Sequence, residues 1–194
     1  WRFRLKKLPP HSRIFIDEIA SDAIQILPQV MMGYSKTAKL LIRGVLENAL
    51  RHVYFSDHPV EFARMNREGK WYLTADQLCD YAKNHHEFLK TEQKFDAIAQ
   101  ATSLYSSLSA GVHGRRVGDL ETRTSLEKII YEPASAASDA EALRKCTQAA
   151  NFIIAIFQHE QMSGFLLEDQ RLILRTLPQT ARQVWKEHEP DSYQ

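Results

Sequence analysis

The run Ser35-Lys-Thr-Ala-Lys-Leu-Leu-Ile-Arg-Gly-Val-Leu-Glu-Asn-Ala-Leu-Arg-His-Val-Tyr-Phe-Ser56 decides the fold class. Ala38, Leu41, Ile42, Val45, Ala49 and Val53 recur three or four residues apart, the period of a helix with one packed face. Leu40, Leu46 and Leu50 carry apolar surface to its other sides, which places this helix inside a bundle. Asp57-His58-Pro59 ends it, and Pro59 suits the first position of a short helix through Met65.

The pattern repeats outward in both directions. Upstream, Ile14, Ile16, Ile19, Ala20, Ala23, Ile24 and Leu27 form a helix from an N-cap at Ser12 to Pro28. Downstream, Thr74-Ala75-Asp76-Gln77 has the spacing of a capping box and opens a helix to about Asn84. Another helix starts near Glu87 or Thr91 and runs to Gly111. Residues 113–124 read as a loop, 125–131 as a short helix and 133–138 as a small, polar linker. Asp139 to His159 is a long helix, nearly all apolar over 152–157 and hence central. Leu166–Leu177 and Gln179–His188 form a pair divided by Pro178. Only Trp71-Tyr72-Leu73 looks strand-like. The expectation is an all-α helical bundle with long central helices and short connecting ones. Residues 1–12 are a basic extended tail, 13–162 the bundle, and 163–194 a helical extension packed on it.

Composition narrows the function classes. The 194 residues are 44% hydrophobic and 25% charged, which excludes disordered, collagen-like and disulfide-scaffold chains. A net charge of +1 excludes a broad basic field of the kind that coats nucleic acid. The two cysteines, Cys79 and Cys146, sit in apolar helical patterns and read as buried thiols of a reducing, cytoplasmic compartment. No stretch reaches 18 apolar residues. Phosphate-loop, dinucleotide and zinc-hydrolase motifs are absent, and no cofactor or metal is expected. Trp1-Arg2-Phe3-Arg4-Leu5-Lys6-Lys7 mixes aromatics with cations, as segments beside a membrane do. Membrane attachment would follow only from a membrane helix before Trp1.

Two polar constellations stand out. Arg43, Glu47 and Arg51 follow one another at i, i+4, i+8 on the interior helix, a line that Tyr54 and His58 continue. An exposed ladder of this type contributes little, but one drawn into the interior could aim two guanidinium groups at a phosphate. Tyr105, Ser109 and His113 repeat that spacing, with Leu104, Leu108 and Val112 on the adjacent core face. His113 falls at the helix end between Gly111 and Gly114, and Arg115 and Arg116 follow. Imidazole with guanidinium is the chemistry of metal-free RNA cleavage: the base takes the 2′-hydroxyl proton and the cation holds the phosphorane charge. The plainer reading is a capping His within a structural network. Other histidines and cations read as solvated: His85-His86 as a helix end, Arg144-Lys145 and Arg171, Arg175 and Arg182 as outer helix faces.

With R-x3-E-x3-R on an early helix and Y-x2-L-S-x2-V-H-G on a later one, the chain resembles the HEPN-like superfamily, in particular its divergent members in bacterial defence and abortive-infection systems. The resemblance covers about 35–160 and rests on Arg43, Glu47, Arg51, Tyr105, Leu108, Ser109, Val112, His113 and Gly114. It implies a toxin-type or antiviral domain that dimerises, or pairs with another protein of its system, and binds or cleaves RNA. The catalytic candidates are then His113, His58, Arg51 and Arg43, with Glu47, Tyr105, Ser109, Arg115 and Arg116 orienting or binding. His58 enters through the R-x4–6-H spacing from Arg51, which Arg4–His11 and Arg182–His188 also satisfy. The alternative is a non-catalytic scaffold, regulatory or dimerisation module.

Overall fold

The computed structural model describes residues 1–113, 125 and 129–188. Its order is α1 (Pro10–Met31), α2 (Ser35–Asp57), α3 (Pro59–Arg67), α4 (Ala75–Asn84), α5 (His86–Glu92), α6 (Ala97–His113), α7 (Pro133–Phe157), α8 (His159–Ser163), α9 (Leu167–Thr176) and α10 (Gln179–His188). No strand occurs among the described residues, and the protein is an all-α bundle.

α2 is the axis, packed on α1, α7, α6 and α4. Its Ile42, Leu46, Ala49, Leu50 and Val53 are buried, and only Leu40 of the additional leucines reaches solvent. The apolar run Phe152–Ile156 of α7 is wholly interior. Ile98 and Ala101 of α6 and Leu78 and Cys79 of α4 close the same core. Both cysteines are buried thiols, as their apolar surroundings predict.

Close approach sets two positions. Gly33 has φ +79, and a Cβ there would lie 2.2 Å from the Ile130 carbonyl oxygen. Gly33 N–H donates to Val30 and Tyr34 N–H to Gln29, the paired bonds of a Schellman cap that turns α1 into α2. At Gly44 a Cβ would meet Asp22 Oδ2 at 2.7 Å, so this glycine lets α1 lie close on α2.

The structure revises several boundaries. α1 begins at Pro10, with proline at the first helical position, not after a Ser12 cap. It also continues through Pro28, which has no N–H to donate to the Ile24 carbonyl one turn before it. The helix expected to reach Gly111 is two, α5 and α6, parted by a turn at 93–96. That turn sets Phe95 against Phe152 at 4.8 Å, a long-range contact that local periodicity cannot signal. The expected linker at 133–138 is the first turn of α7, led by Pro133 and built of small residues that favour helix. Of the expected helix at 125–131, residues 129–131 are not helical and 126–128 lie outside the described residues. Residues 71–73 form no strand.

The first eight residues are packed turns, not an extended tail. Trp1 Nε1 donates to Asn151 Oδ1 at 2.8 Å, Leu5 is buried and Arg4 pairs with Asp169. Ile173, Leu177, Ala181, Val184 and Trp185 join the same core, so α9 and α10 complete the bundle.

The capping box forms as its spacing predicts. Gln77 N–H donates to Thr74 Oγ1 at 3.3 Å, and Thr74 N–H to Gln77 Oε1 at 2.9 Å. Thr74→Ala is expected to destabilise the protein by about 1 kcal/mol, read as a lower denaturant midpoint at unchanged slope. No loss would mean that the cap is idle.

Candidate cation–imidazole site

α2 and α6 bring most of the expected residues together. Arg43 Nη1 donates to His113 Nε2 at 3.0 Å, across seventy residues of chain. That bond fixes His113 as the neutral tautomer with its proton on Nδ1. The Arg43 guanidinium also stands over the Tyr105 ring, 5.5 Å from its centroid, a cation–π placement. Tyr105 Oη donates to Glu47 Oε2 at 3.5 Å, and Glu47 pairs with Arg51. Burial, then the neighbouring Glu47 carboxylate, raises the Tyr105 pKa. Ser109, one turn beyond Tyr105, is buried.

The charge pattern differs from the expected one. Of Arg43 and Arg51, Glu47 pairs with Arg51 and not with Arg43. Arg43 has no carboxylate partner among the described residues; its contacts are an imidazole and an aromatic face. Its Nε is buried without a hydrogen-bond partner among the described residues. A half-buried guanidinium lacking an anion is an open position, because buried charge is ordinarily paired.

His58 does not join this group. It lies fifteen residues beyond Arg43 on the axis of α2, about 22 Å at the rise of a helix. There it stacks on Tyr54 at 4.1 Å, and its Nδ1 donates to the Tyr54 carbonyl oxygen at 2.8 Å. Arg51 is eight residues from Arg43, about 12 Å along the helix, and its guanidinium is turned to Glu47 while that of Arg43 is turned to His113. Arg115 and Arg116 lie outside the described residues.

His52, next to Arg51, is wholly buried. Its Nδ1 donates to the Ser12 carbonyl oxygen at 2.9 Å, and its Nε2 accepts from Gln158 Nε2 at 3.1 Å. Burial pushes its pKa down to about 4, against the opposing effect of the Ser12 bond. It is a structural imidazole tying α1, α2 and the end of α7 together.

One polar cluster escaped the sequence reading. Asp57 Oδ2 accepts from Tyr81 Oη at 2.6 Å and from His85 Nε2 at 3.1 Å, beside a cavity of about 460 Å³. The partners are 24 and 28 residues apart, so no local spacing announces them. His85 is not the solvated helix end expected: it is buried and caps α5, its Nδ1 accepting from Glu87 N–H at 3.3 Å. With both ring nitrogens engaged, it has no lone pair left to act as a base. Among the described residues no group of three His, Cys, Asp or Glu could hold a metal ion. No helix among them is long and apolar enough to cross a membrane.

Fold and site together define an all-α helical bundle with a cation–imidazole pair between its axial helix and α6. Comparison with protein-family models, curated proteins and solved structures gives no match.

Proposed function

We propose that the chain is a HEPN-like domain of a bacterial defence or toxin-type system that engages RNA at the Arg43–His113 pair and cleaves it without a metal. One observation carries this reading: Arg43 is a half-buried cation that bonds an imidazole and has no carboxylate partner among the described residues. A phosphodiester supplies the anion. As the phosphate draws the Arg43 N–H donors, the lone pair of His113 Nε2 is released. His113 then accepts the 2′-hydroxyl proton, and the 2′-oxygen attacks phosphorus. The 5′-oxygen leaves and takes a proton from solvent, which gives a 2′,3′-cyclic phosphate and a 5′-hydroxyl. Arg43 bears the charge that grows on the phosphorane. Arg51, held by Glu47, reaches a different phosphate of the same strand.

The test is an end-labelled single-stranded RNA incubated with the chain in excess chelator. The expected product ends in a cyclic phosphate, and a 2′-deoxy nucleotide at the cut site blocks it. A chain that neither retards nor cuts RNA would overturn the proposal.

The second reading, a non-catalytic module for a second copy or another protein, is favoured by a different observation. Ile24, Leu27 and Met31 leave one stripe of α1 exposed at 73%, 62% and 63%. A contiguous apolar stripe of this kind fits protein contact. On this reading Arg43→Ala alters melting temperature and no RNA property.

A further inference from the structure

We propose that the chain has a second binding site, on the other flank of α6, for a small aromatic monoanion such as an aryl carboxylate. Tyr105, Ser109 and His113 occupy the flank toward α2. Gln100, Ser103 and Ser107 lie about half a helix turn round from them, by the 3.6-residue period. There they line a cavity of about 570 Å³ between α6, α7 and the start of α10. That volume falls in the range of small-molecule sites, about 300–1,000 Å³.

The cavity lining is part apolar and part cationic. Phe95, Leu104, Ala149 and Pro178 form walls that suit a flat ring. Phe95 is itself fixed by its edge contact with Phe152. Arg144, Lys145 and Gln148 complete the lining.

Arg144 is held in place before any ligand arrives. Its Nε and Nη2 each donate to Glu141 at 2.7 Å, and Nη1 donates to Gln148 Oε1 at 3.0 Å. A guanidinium has five N–H donors, so two remain for a ligand. The fork holds the Glu141 carboxyl down at a pKa of about 2, so it stays ionised. Lys145 Nζ is more loosely tied, 3.6 Å from the same carboxylate. Two cations against one carboxylate leave a single positive charge, which matches a monoanion better than a phosphate dianion. Gln148 has given its oxygen to Arg144 and keeps its amide donors, and the hydroxyls of Ser103 and Ser107 in the lining supply further polar contacts. The Arg144–Lys145 pair thus has a use beyond a solvated face. This site owes nothing to the RNA reading, and the two stand or fall separately.

The test uses 2-naphthoate and its cationic analogue 2-naphthylmethylammonium, titrated into the ¹⁵N-labelled chain. Naphthoate is expected to shift the amides of 100–107 and 144–149 saturably, about tenfold more tightly than the cation. Lys145→Glu should reverse that preference. Ser107→Trp and, as an independent block, Ser103→Trp should each abolish the shifts at unchanged melting temperature, since both serines are exposed. The absence of saturable shifts at millimolar naphthoate, their survival in both tryptophan variants, or equal binding of the cation would each overturn the site.

Discussion

His113→Ala is expected to lower RNA cleavage by about 10²–10⁴-fold, the usual contribution of a positioned general base. RNA binding should stay within about twofold. The split follows from the geometry. His113 is exposed and accepts one hydrogen bond, from Arg43. Its loss leaves the guanidinium free to meet a phosphate and removes only the proton acceptor. Arg43→Ala should behave differently, because it deletes the anion contact: binding and single-turnover rate both fall. Arg43→Lys should recover binding in part and little of the rate, since an ammonium cannot span phosphate and imidazole with a planar fork. Single-turnover cleavage at saturating protein separates the two effects. An unchanged rate in His113→Ala would remove the base from the mechanism. His58→Ala serves as the contrast and should leave the rate unchanged, given its place at the far end of α2.

How far the sequence discloses this arrangement depends on the range of each signal. The i, i+4, i+8 ladders on α2 and α6 are local, and they led to Arg43, Glu47, Arg51, Tyr105 and His113, which the fold joins. Which ladder member meets which is not local. Only packing shows that Glu47 serves Arg51 while Arg43 takes the imidazole. His58 entered on spacing along one helix, yet spacing along an axis also carries a residue away, by about 1.5 Å per position. The turn at 93–96 was hidden because Phe95 is placed by Phe152, far off in sequence. The first turn of α7 was hidden because a run of small polar residues after proline reads equally as linker or as helix start. The Asp57–Tyr81–His85 cluster had no local trace at all.

Asp22→Asn is expected to stabilise the protein at pH 7 by about 2–3 kcal/mol, several degrees in Tm. Asp22 is buried against Gly44 with no hydrogen-bond or ion-pair partner among the described residues. Burial raises its pKa to about 6, with Glu18 acting the same way. Between about pH 4 and 6 the folded chain keeps a proton that the unfolded chain has lost. This carboxyl therefore erodes stability as pH rises through that window and costs most above it. His52 has the opposite sign. Its folded pKa of about 4 lies below the ordinary imidazole value, so the unfolded chain binds a proton that the folded chain refuses. Stability from His52 is complete above about pH 6.5 and falls as pH drops toward 4. Each group amounts to about 3 kcal/mol across its window at 1.36 kcal/mol per unit, and the windows overlap. Between pH 4 and 7 the two effects oppose one another, and His85, whose pKa burial also lowers, acts in the direction of His52. Asp22→Asn removes one of them, so its advantage at pH 7 should vanish on acidification, and the variant should lose about 3 kcal/mol by pH 4. Denaturant unfolding of both chains at several pH values decides this. Parallel curves would show that Asp22 titrates as an ordinary carboxyl and that the close approach of α1 to Gly44 leaves it well solvated.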